Sequence, residues 1–101
     1  RMARVAIVVE FTLKAGQHAA FDRLIREHAC LTLEEEPGCE RFDVLQPLGR
    51  DGAPDEGRVM LCEIYRDQAA VDAHTKNPRL ATVRDAYAPM IEDRRLTLCA
   101  M

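Results

Sequence analysis

Period-2 patterns and apolar, β-branched runs predict β-strands along four stretches of the chain. These stretches are residues 5–13, 41–46, 58–65 and 94–100. In residues 5–13 and 58–65 both alternating sets are largely apolar, at least over part of the strand. Strands of this kind are covered on both faces, so we expect a partner on each side of the sheet at these two strands.

Three further stretches repeat apolar residues with the period of an α-helix. The first helix is predicted over residues 17–36, and its apolar stripe consists of Phe21, Leu24, Ile25, His28, Leu31 and Thr32. Gly38 is predicted to end this helix with a positive φ, and the acidic run 34–36 is predicted to be a solvated helix end. Asp67 is expected to cap a second helix over 68–76, and Asn77-Pro78 to open a third over 79–88.

The order of these elements predicts an α+β fold. A βαββαβ chain of this length most simply forms a ferredoxin-like, four-stranded antiparallel sheet with its helices packed on one side. The helices then leave the second apolar face of the first and third strands without cover. A second copy of the sheet is the economical cover, so we expect a homodimer.

Composition narrows the classes of partner and site. The 101 residues are expected to form one domain, residues 1–101, with a net charge of −3 and basic residues spread along the chain. No basic footprint for nucleic acid, no apolar run of the ~20 residues that a membrane helix needs, and no signal peptide is seen. The sequence therefore predicts a cytoplasmic protein with neither nucleic-acid nor membrane partners.

The four cysteines are widely spaced, and no CxxC pair occurs. Zinc sites usually need such close ligand pairs, and disulfides are rare in a reducing compartment. We expect ordinary thiols, most of them buried. No glycine-rich phosphate loop follows a strand either, so neither a metal nor a bound cofactor is predicted.

Polar side chains that interrupt the apolar stripes mark a candidate site between the sheet and the helices. His28, His74 and Tyr87 project from the three predicted helices, and Glu63 and Tyr65 join them if their strand face is the helix-covered one. We predict His74, His28 and Glu63 as catalytic acid–base groups, and Tyr65, Tyr87 and Arg84 as substrate-binding groups.

Structural roles compete with this interpretation. A histidine on an apolar stripe can be a hydrogen-bonded core residue, and the tyrosines can pack with their hydroxyls at the rim. Glu63 can pair with Arg41 across the second hairpin, and Arg84 can be a surface residue. A phosphate group, if the substrate carries one, would find clustered cations at Lys76, Arg79 and Arg84.

Several runs of the chain resemble the antibiotic biosynthesis monooxygenase (ABM) family of dimeric α+β barrels over nearly the whole length. They are the apolar strand ending in Lys14-Ala-Gly16, the run EPGCERFD at 36–43, Glu63-Ile-Tyr65 with Asp67, Ala70-Val-Asp-Ala-His74, and Asn77-Pro78. The resemblance implies the ferredoxin-like fold and the dimer. It leaves the reaction open, because members of one fold differ in chemistry.

Three kinds of family member bear on the function. The first kind consists of cofactor-independent monooxygenases that act on quinols or polyketide phenols. The second kind isomerises phosphorylated autoinducer-2, and the chain is similar to it in the run 41–46 with Glu63, Tyr65 and His74. Haem-degrading members use Asn, Trp and His where this chain has Val9, His74 and Arg84. The resemblance therefore implies a monooxygenase of a small aromatic substrate, with the isomerase or a non-catalytic ligand-binding dimer as alternatives.

Overall fold

The computed structural model describes residues 3–101, which form one four-stranded sheet and three α-helices. The strands are β1 (Val5–Leu13), β2 (Cys39–Leu45), β3 (Arg58–Tyr65) and β4 (Ile91–Ala100), and the helices are α1 (His18–Glu35), α2 (Gln68–Thr75) and α3 (Pro78–Tyr87), with a 3₁₀ turn at Ala88–Met90. All neighbouring strands are antiparallel in the order β2-β3-β1-β4. The ferredoxin-like α+β fold is confirmed.

The two strands with the strongest apolar content have the predicted bounds, whereas β4 begins earlier than predicted. It starts at Ile91 rather than at Arg94, and Ile91 pairs with Leu13 after a register shift in the β1–β4 ladder. Glu92 and Asp93, which lie between Ile91 and Arg94, are charged and exposed. Because β4 is an edge strand, it needs no apolar second face. Its charged first residues therefore obscure the pattern by which a strand is predicted.

One face of the sheet packs against the helices and forms the core. The inward side chains of β1 and β3 are almost fully buried, and they are Ile7, Val9, Phe11, Leu13, Val59, Leu61, Glu63 and Tyr65. Phe11, Phe21 and Tyr87 form an aromatic cluster with ring centroids 4.8 to 5.7 Å apart. This cluster ties α1 and α3 to the centre of the sheet.

The other face of the sheet is not covered by any element within residues 3–101. Its central side chains are Ala6, Val8 and Glu10 on β1 and, opposite them in the β1–β3 register, Ile64, Cys62 and Met60 on β3. Apart from Ala6, they are only half-buried. The chain itself thus buries the helix-facing side of the sheet, and the predicted cover of the other face by a second copy stays a prediction.

Gly38 does not have the conformation predicted for it. Positive φ occurs in residues 3–101 only at Gly16 and Gly52, and α1 instead ends in extended backbone at Glu36, whose N–H donates to the carbonyl of Thr32. The glycine at 38 is required by close packing: a Cβ there would overlap the Cβ of Ala70 on α2. The chain between α1 and β2 therefore lies directly against α2.

Replacing Gly38 with Ala should therefore destabilise the fold by about 1–3 kcal/mol, because overpacking forces backbone to shift. Denaturant unfolding measures the loss. Gly57→Ala is the matched control, because its new Cβ would meet only the carboxylate of Asp55 in an exposed loop. Equal stability of Gly38→Ala and wild type would contradict the packing of α2 described here.

Candidate active site

A cavity of about 160 Å³ lies between the helix-facing side of the sheet and the three helices. Its walls are mostly apolar side chains of β1, β3, α1 and α3, among them Ile7, Val9, Phe11, Ile25, Leu61, Leu80 and Val83. The β4 wall is the open one, because Leu96 and Leu98 line the cavity yet are 43% and 55% exposed. The cavity therefore opens between β4 and α3.

Five of the six side chains predicted from the sequence line this cavity: His28, Glu63, His74, Arg84 and Tyr87. The sixth, Tyr65, is fully buried behind the wall; it donates to Glu63, and its ring packs against that of His74 with centroids 5.1 Å apart. The condition set for Glu63 and Tyr65 is met, because β3 turns both side chains toward the helices. An exposed position makes Arg84 a residue of the cavity mouth.

His74 is held in place by a carboxylate from the end of α1. Its Nδ1 lies 2.8 Å from Oε1 of Glu36, while Oε2 of Glu36 accepts from Asn77 Nδ2 at 3.1 Å. The prediction of a solvated acidic run is wrong for Glu36, because its side chain is only 13% exposed and faces α2. A carboxylate accepting at Nδ1 fixes the tautomer and leaves Nε2 as the free nitrogen.

Glu63 is a buried carboxyl group beside His74. Burial raises the pKa of Glu63 to about 7, and the hydroxyl of Tyr65 donates to its Oε1 at 2.7 Å, which opposes that rise. Nε2 of His74 lies 3.7 Å from the same oxygen, beyond hydrogen-bond distance. A carboxyl group with this pKa exists in both protonation states near neutral pH, as a general base requires.

Tyr65 does not compete with Glu63 as a base, and Arg41 does not form an ion pair with it. Burial, and after it the charge of Glu63, raises the pKa of Tyr65 well above its ordinary value, so this phenol stays a hydrogen-bond donor. The competing pair of Glu63 with Arg41 does not form, because Arg41 binds Asp43 on the exposed side of β2. Phe42 is the residue opposite Glu63 in the β2–β3 ladder.

His28 is neutral and is oriented by Arg79. NH1 of Arg79 donates to Nδ1 of His28 at 2.8 Å and also reaches Oγ1 of Thr32 at 3.0 Å. Burial, followed by the charge of Arg79, lowers the pKa of His28 to about 4. Because a guanidinium only donates, the ring proton is assigned to Nε2. His28 therefore offers the cavity a hydrogen-bond donor rather than a base.

Glu36 and Arg94 were not predicted as members of the site, and Arg79 was named only as a cation for a substrate phosphate. Glu36 and Arg79 orient the two histidines from outside the cavity, and Arg94 of β4 lines the cavity at its open side. Glu36 and Arg79 contact residues that lie 38 and 51 positions away along the chain. No local spacing signals such contacts; only the fold creates them.

The structure offers no dedicated metal site within residues 3–101, where no group of three or more His, Cys, Asp or Glu side chains is arranged to hold an ion. All four cysteines are free thiols, but only Cys39 is buried, so the prediction that most are buried is wrong. Burial raises the pKa of the Cys39 thiol to about 11. Among the described helices, none is long and apolar enough to cross a membrane.

The buried carboxyl group of Glu63 predicts an unusual pH dependence of stability. Its folded pKa, about 7, lies above the ordinary 4.5, so its contribution is present below pH 4.5 and is lost as the pH rises through 7. His28 acts in the opposite direction, because its stability is present above 6.5 and is lost as the pH falls through about 4. In the wild-type protein, Glu63 therefore lowers the stability as the pH rises from about 4 to about 7, whereas His28 raises it.

Glu63→Gln isolates the carboxyl effect, because the amide does not titrate. We expect its free energy of unfolding, relative to wild type, to increase by about 3 kcal/mol between pH 4.5 and pH 8. Denaturant unfolding of both proteins across this range measures the difference. A difference that stays constant with pH would mean that Glu63 has an ordinary pKa.

Comparisons with known proteins agree with the fold and assign the family. A solved structure from Nitrosomonas europaea, named "Putative antibiotic biosynthesis monooxygenase", is 25% identical, with a TM-score of 0.85, and the match covers 100% of this chain and 92% of that chain. Rv0793 from Mycobacterium tuberculosis is 24% identical (TM-score 0.80, covering 97% and 94%), and PA3566 from Pseudomonas aeruginosa is 18% identical (TM-score 0.82, covering 98% and 94%).

A search of the curated proteins found no match. The family model described as antibiotic biosynthesis monooxygenase matches residues 4–86, most of the chain. This span begins just before β1 and runs through α2 and nearly all of α3, so it includes every residue assigned above to the cavity except those of β4 and Tyr87. The chain belongs to the antibiotic biosynthesis monooxygenase (ABM) family.

Proposed function

We propose that the protein is a cofactor-independent monooxygenase of a small quinol-type aromatic compound. The observation that carries the proposal is the carboxyl group of Glu63, buried in an apolar cavity with a pKa of about 7 and with His74 beside it. Membership of the ABM family supports the same class of reaction, as does the similarity to the Nitrosomonas europaea structure named "Putative antibiotic biosynthesis monooxygenase".

The reaction needs a base and an apolar enclosure. The base removes the proton of a phenolic hydroxyl, and the electron-rich phenolate then reacts with O₂. One oxygen atom forms a new bond to a ring carbon, and the other leaves as water with two hydrogens of the quinol. The quinol supplies all of the electrons, so the products are a hydroxyquinone and water.

The side chains divide between taking and giving protons. Glu63 is proposed as the base, and the Tyr65 hydroxyl stabilises its ionised form. His74, oriented by Glu36, accepts at Nε2 and can relay the proton. His28 donates from Nε2 to the oxygen on which negative charge develops, and Arg79 keeps it in this tautomer.

The cavity volume limits the substrate. An apolar cavity of about 150 Å³ accommodates benzene, and this cavity measures about 160 Å³. We therefore propose a single aromatic ring as the substrate core. Tyr87 and Phe11, which contact each other and Phe21, form the aromatic part of the wall. A polycyclic polyketide would need the cavity to extend through its open side.

An isomerase of a small phosphorylated carbonyl compound is the second candidate. The observation that favours it is the combination of a base at Glu63 with a guanidinium at the mouth, Arg84, which can bind a phosphate. In that reaction the base moves a proton from the carbon beside the carbonyl, and His28 stabilises the enolate. Molecular oxygen takes no part, which separates the two candidates.

We further propose a homodimer in which the uncovered sheet faces meet. The patch formed by Ala6, Val8, Met60, Cys62 and Ile64, here called the outer patch, is apolar and is contributed by the two central strands. Apolar patches of this kind on a small domain mark a surface for association. A two-fold pairing of the patch with itself would give a closed assembly.

Oxygen consumption tests the proposed reaction. Purified protein, treated with chelator, is mixed with hydroquinone, methylhydroquinone and substituted single-ring quinols, and O₂ uptake is followed beside the uncatalysed rate. The monooxygenase proposal expects uptake above that rate with at least one quinol. Turnover of a phosphorylated carbonyl compound without O₂ uptake would favour the isomerase, and binding without turnover would favour the non-catalytic dimer.

A further inference from the structure

We propose that Arg84 and Arg94 form an anion-binding subsite at the mouth of the cavity, so that the substrate is a single-ring compound carrying a carboxylate or a phosphate group. This inference rests on the proposed function, because it assigns a substrate class to the same cavity. The two guanidinium groups come from different elements, α3 and β4, that border the open side.

The fold brings the two arginines to the same end of the cavity. Arg84 lies three residues before Tyr87 on α3, a spacing that places both side chains on one face of the helix. Arg94 is the register partner of Phe11 on the helix-facing side of the sheet. Phe11 and Tyr87 contact each other with ring centroids 5.2 Å apart. Both arginines therefore neighbour the same aromatic pair.

Neither guanidinium has a carboxylate partner within residues 3–101, where both lack ion pairs and side-chain hydrogen bonds. Arg79 provides the contrast, because its nitrogens contact His28, Thr32, Glu35 and Glu36. The hydrogen-bonding groups of Arg79 are thus used by other residues of the protein, whereas those of Arg84 and Arg94 are available to a ligand.

The charges of both arginines act on the interior of the cavity. Each favours the ionised form of Glu63 and so opposes the effect of burial on the pKa of that carboxyl group. A neutral ligand would leave both positive charges without a partner at the edge of an apolar cavity. An anionic substituent between them would be held by charge-assisted hydrogen bonds, for which guanidinium groups are well suited.

The arrangement also orients the substrate. An acidic substituent bound at the mouth points the remainder of the ring into the cavity, toward Glu63, His74 and His28. The arginines then select substrates by charge, and the apolar walls select them by size.

Isothermal titration calorimetry with matched ligands tests this subsite. The probes are 4-hydroxybenzoate, its uncharged methyl ester, and phenyl phosphate. We expect at least one of the two anions to bind wild-type protein more tightly than the ester, by about tenfold or more. This is the usual effect of hydrogen bonds to a charged group. The tighter of the two anions identifies carboxylate or phosphate as the group that the subsite prefers, and either outcome supports the subsite.

Arg84→Gln and Arg94→Gln should each remove most of this preference and leave binding of the methyl ester nearly unchanged. Arg23→Gln is the matched control, because Arg23 is exposed on the outer side of α1 and does not line the cavity. Melting temperatures of the variants should match that of wild type, since neither arginine makes an ion pair or a side-chain hydrogen bond within residues 3–101. An ester that binds as tightly as both anions, or a preference that survives both substitutions, would overturn the subsite.

The proposed function and the subsite fail in distinguishable ways. Anion-selective binding without O₂ uptake would retain the subsite and reject the monooxygenase. Oxidation of uncharged quinols at the same kcat/KM as their carboxylated analogues would retain the monooxygenase and reject the subsite.

Discussion

Replacing Glu63 with Gln should lower the turnover of the quinol substrate by about 10²–10⁴-fold, the usual loss when a general base is removed. Gln has nearly the same shape, and its amide oxygen can still accept from the Tyr65 hydroxyl. The variant should therefore fold as wild type does, and its KM should change little. Steady-state kinetics with the fastest quinol of the panel, together with thermal unfolding, measure both quantities.

The pH profile of the wild-type protein adds an independent check on the same residue. A base whose pKa is about 7 should make turnover rise with pH and level off above that value. Glu56→Gln is the control for loss of a carboxylate, because Glu56 is exposed in the loop between β2 and β3. Glu63 would lose its proposed role if Glu63→Gln and Glu56→Gln retained the same activity.

Val8→Asp should convert the proposed dimer into a monomer. Val8 lies at the centre of the outer patch, between Cys62 of β3 and Thr97 of β4. In the isolated chain this side chain is half-exposed, so a carboxylate there can remain hydrated. In a two-fold pairing of the patches, each copy would bury an unpaired charge, which costs several kcal/mol.

Sedimentation velocity at micromolar concentration distinguishes the two states. Wild type should sediment at about twice the chain mass, and Val8→Asp at the chain mass with its circular dichroism preserved. Leu48→Asp makes the same kind of change in the β2–β3 loop, where Leu48 is 62% exposed, and should leave the dimer intact. A wild-type monomer would reject the dimer, and a dimeric Val8→Asp would place the interface elsewhere.

The fold was predictable because its strongest signals are local. The apolar patterns of β1 and β3 and the cap of α2 act over a few positions. Asp67 accepts the predicted capping hydrogen bond from the N–H of Ala70, and Asn77, which was predicted only to precede the helix opened by Pro78, accepts one from the N–H of Arg79. Gly38 was misread because two physical causes require glycine. A positive φ and a close backbone approach look the same in a sequence.

The candidate site was predictable only in part. His28, His74 and Glu63 stand out because each is a polar residue in an apolar pattern, and all three line the cavity. Glu36 and Arg79 resemble surface charges at helix ends, since nothing near them in sequence reveals the histidines that they contact. Arg94 lies in a charged run that also concealed the start of β4. In each of these cases, the role of the residue depends on contacts that only the tertiary fold creates.

Incorporation of ¹⁸O tests the central proposal, a cofactor-free oxygenation at Glu63, most directly. Purified protein stripped of metals and flavin is incubated with the best quinol under ¹⁸O₂, and the product is analysed by mass spectrometry alongside the Glu63→Gln variant. The account predicts a hydroxyquinone carrying one ¹⁸O atom, formed by wild type and nearly lost in the variant. Unlabelled product, hydrogen peroxide as the only reduced form of oxygen, or equal labelling by both proteins would contradict it.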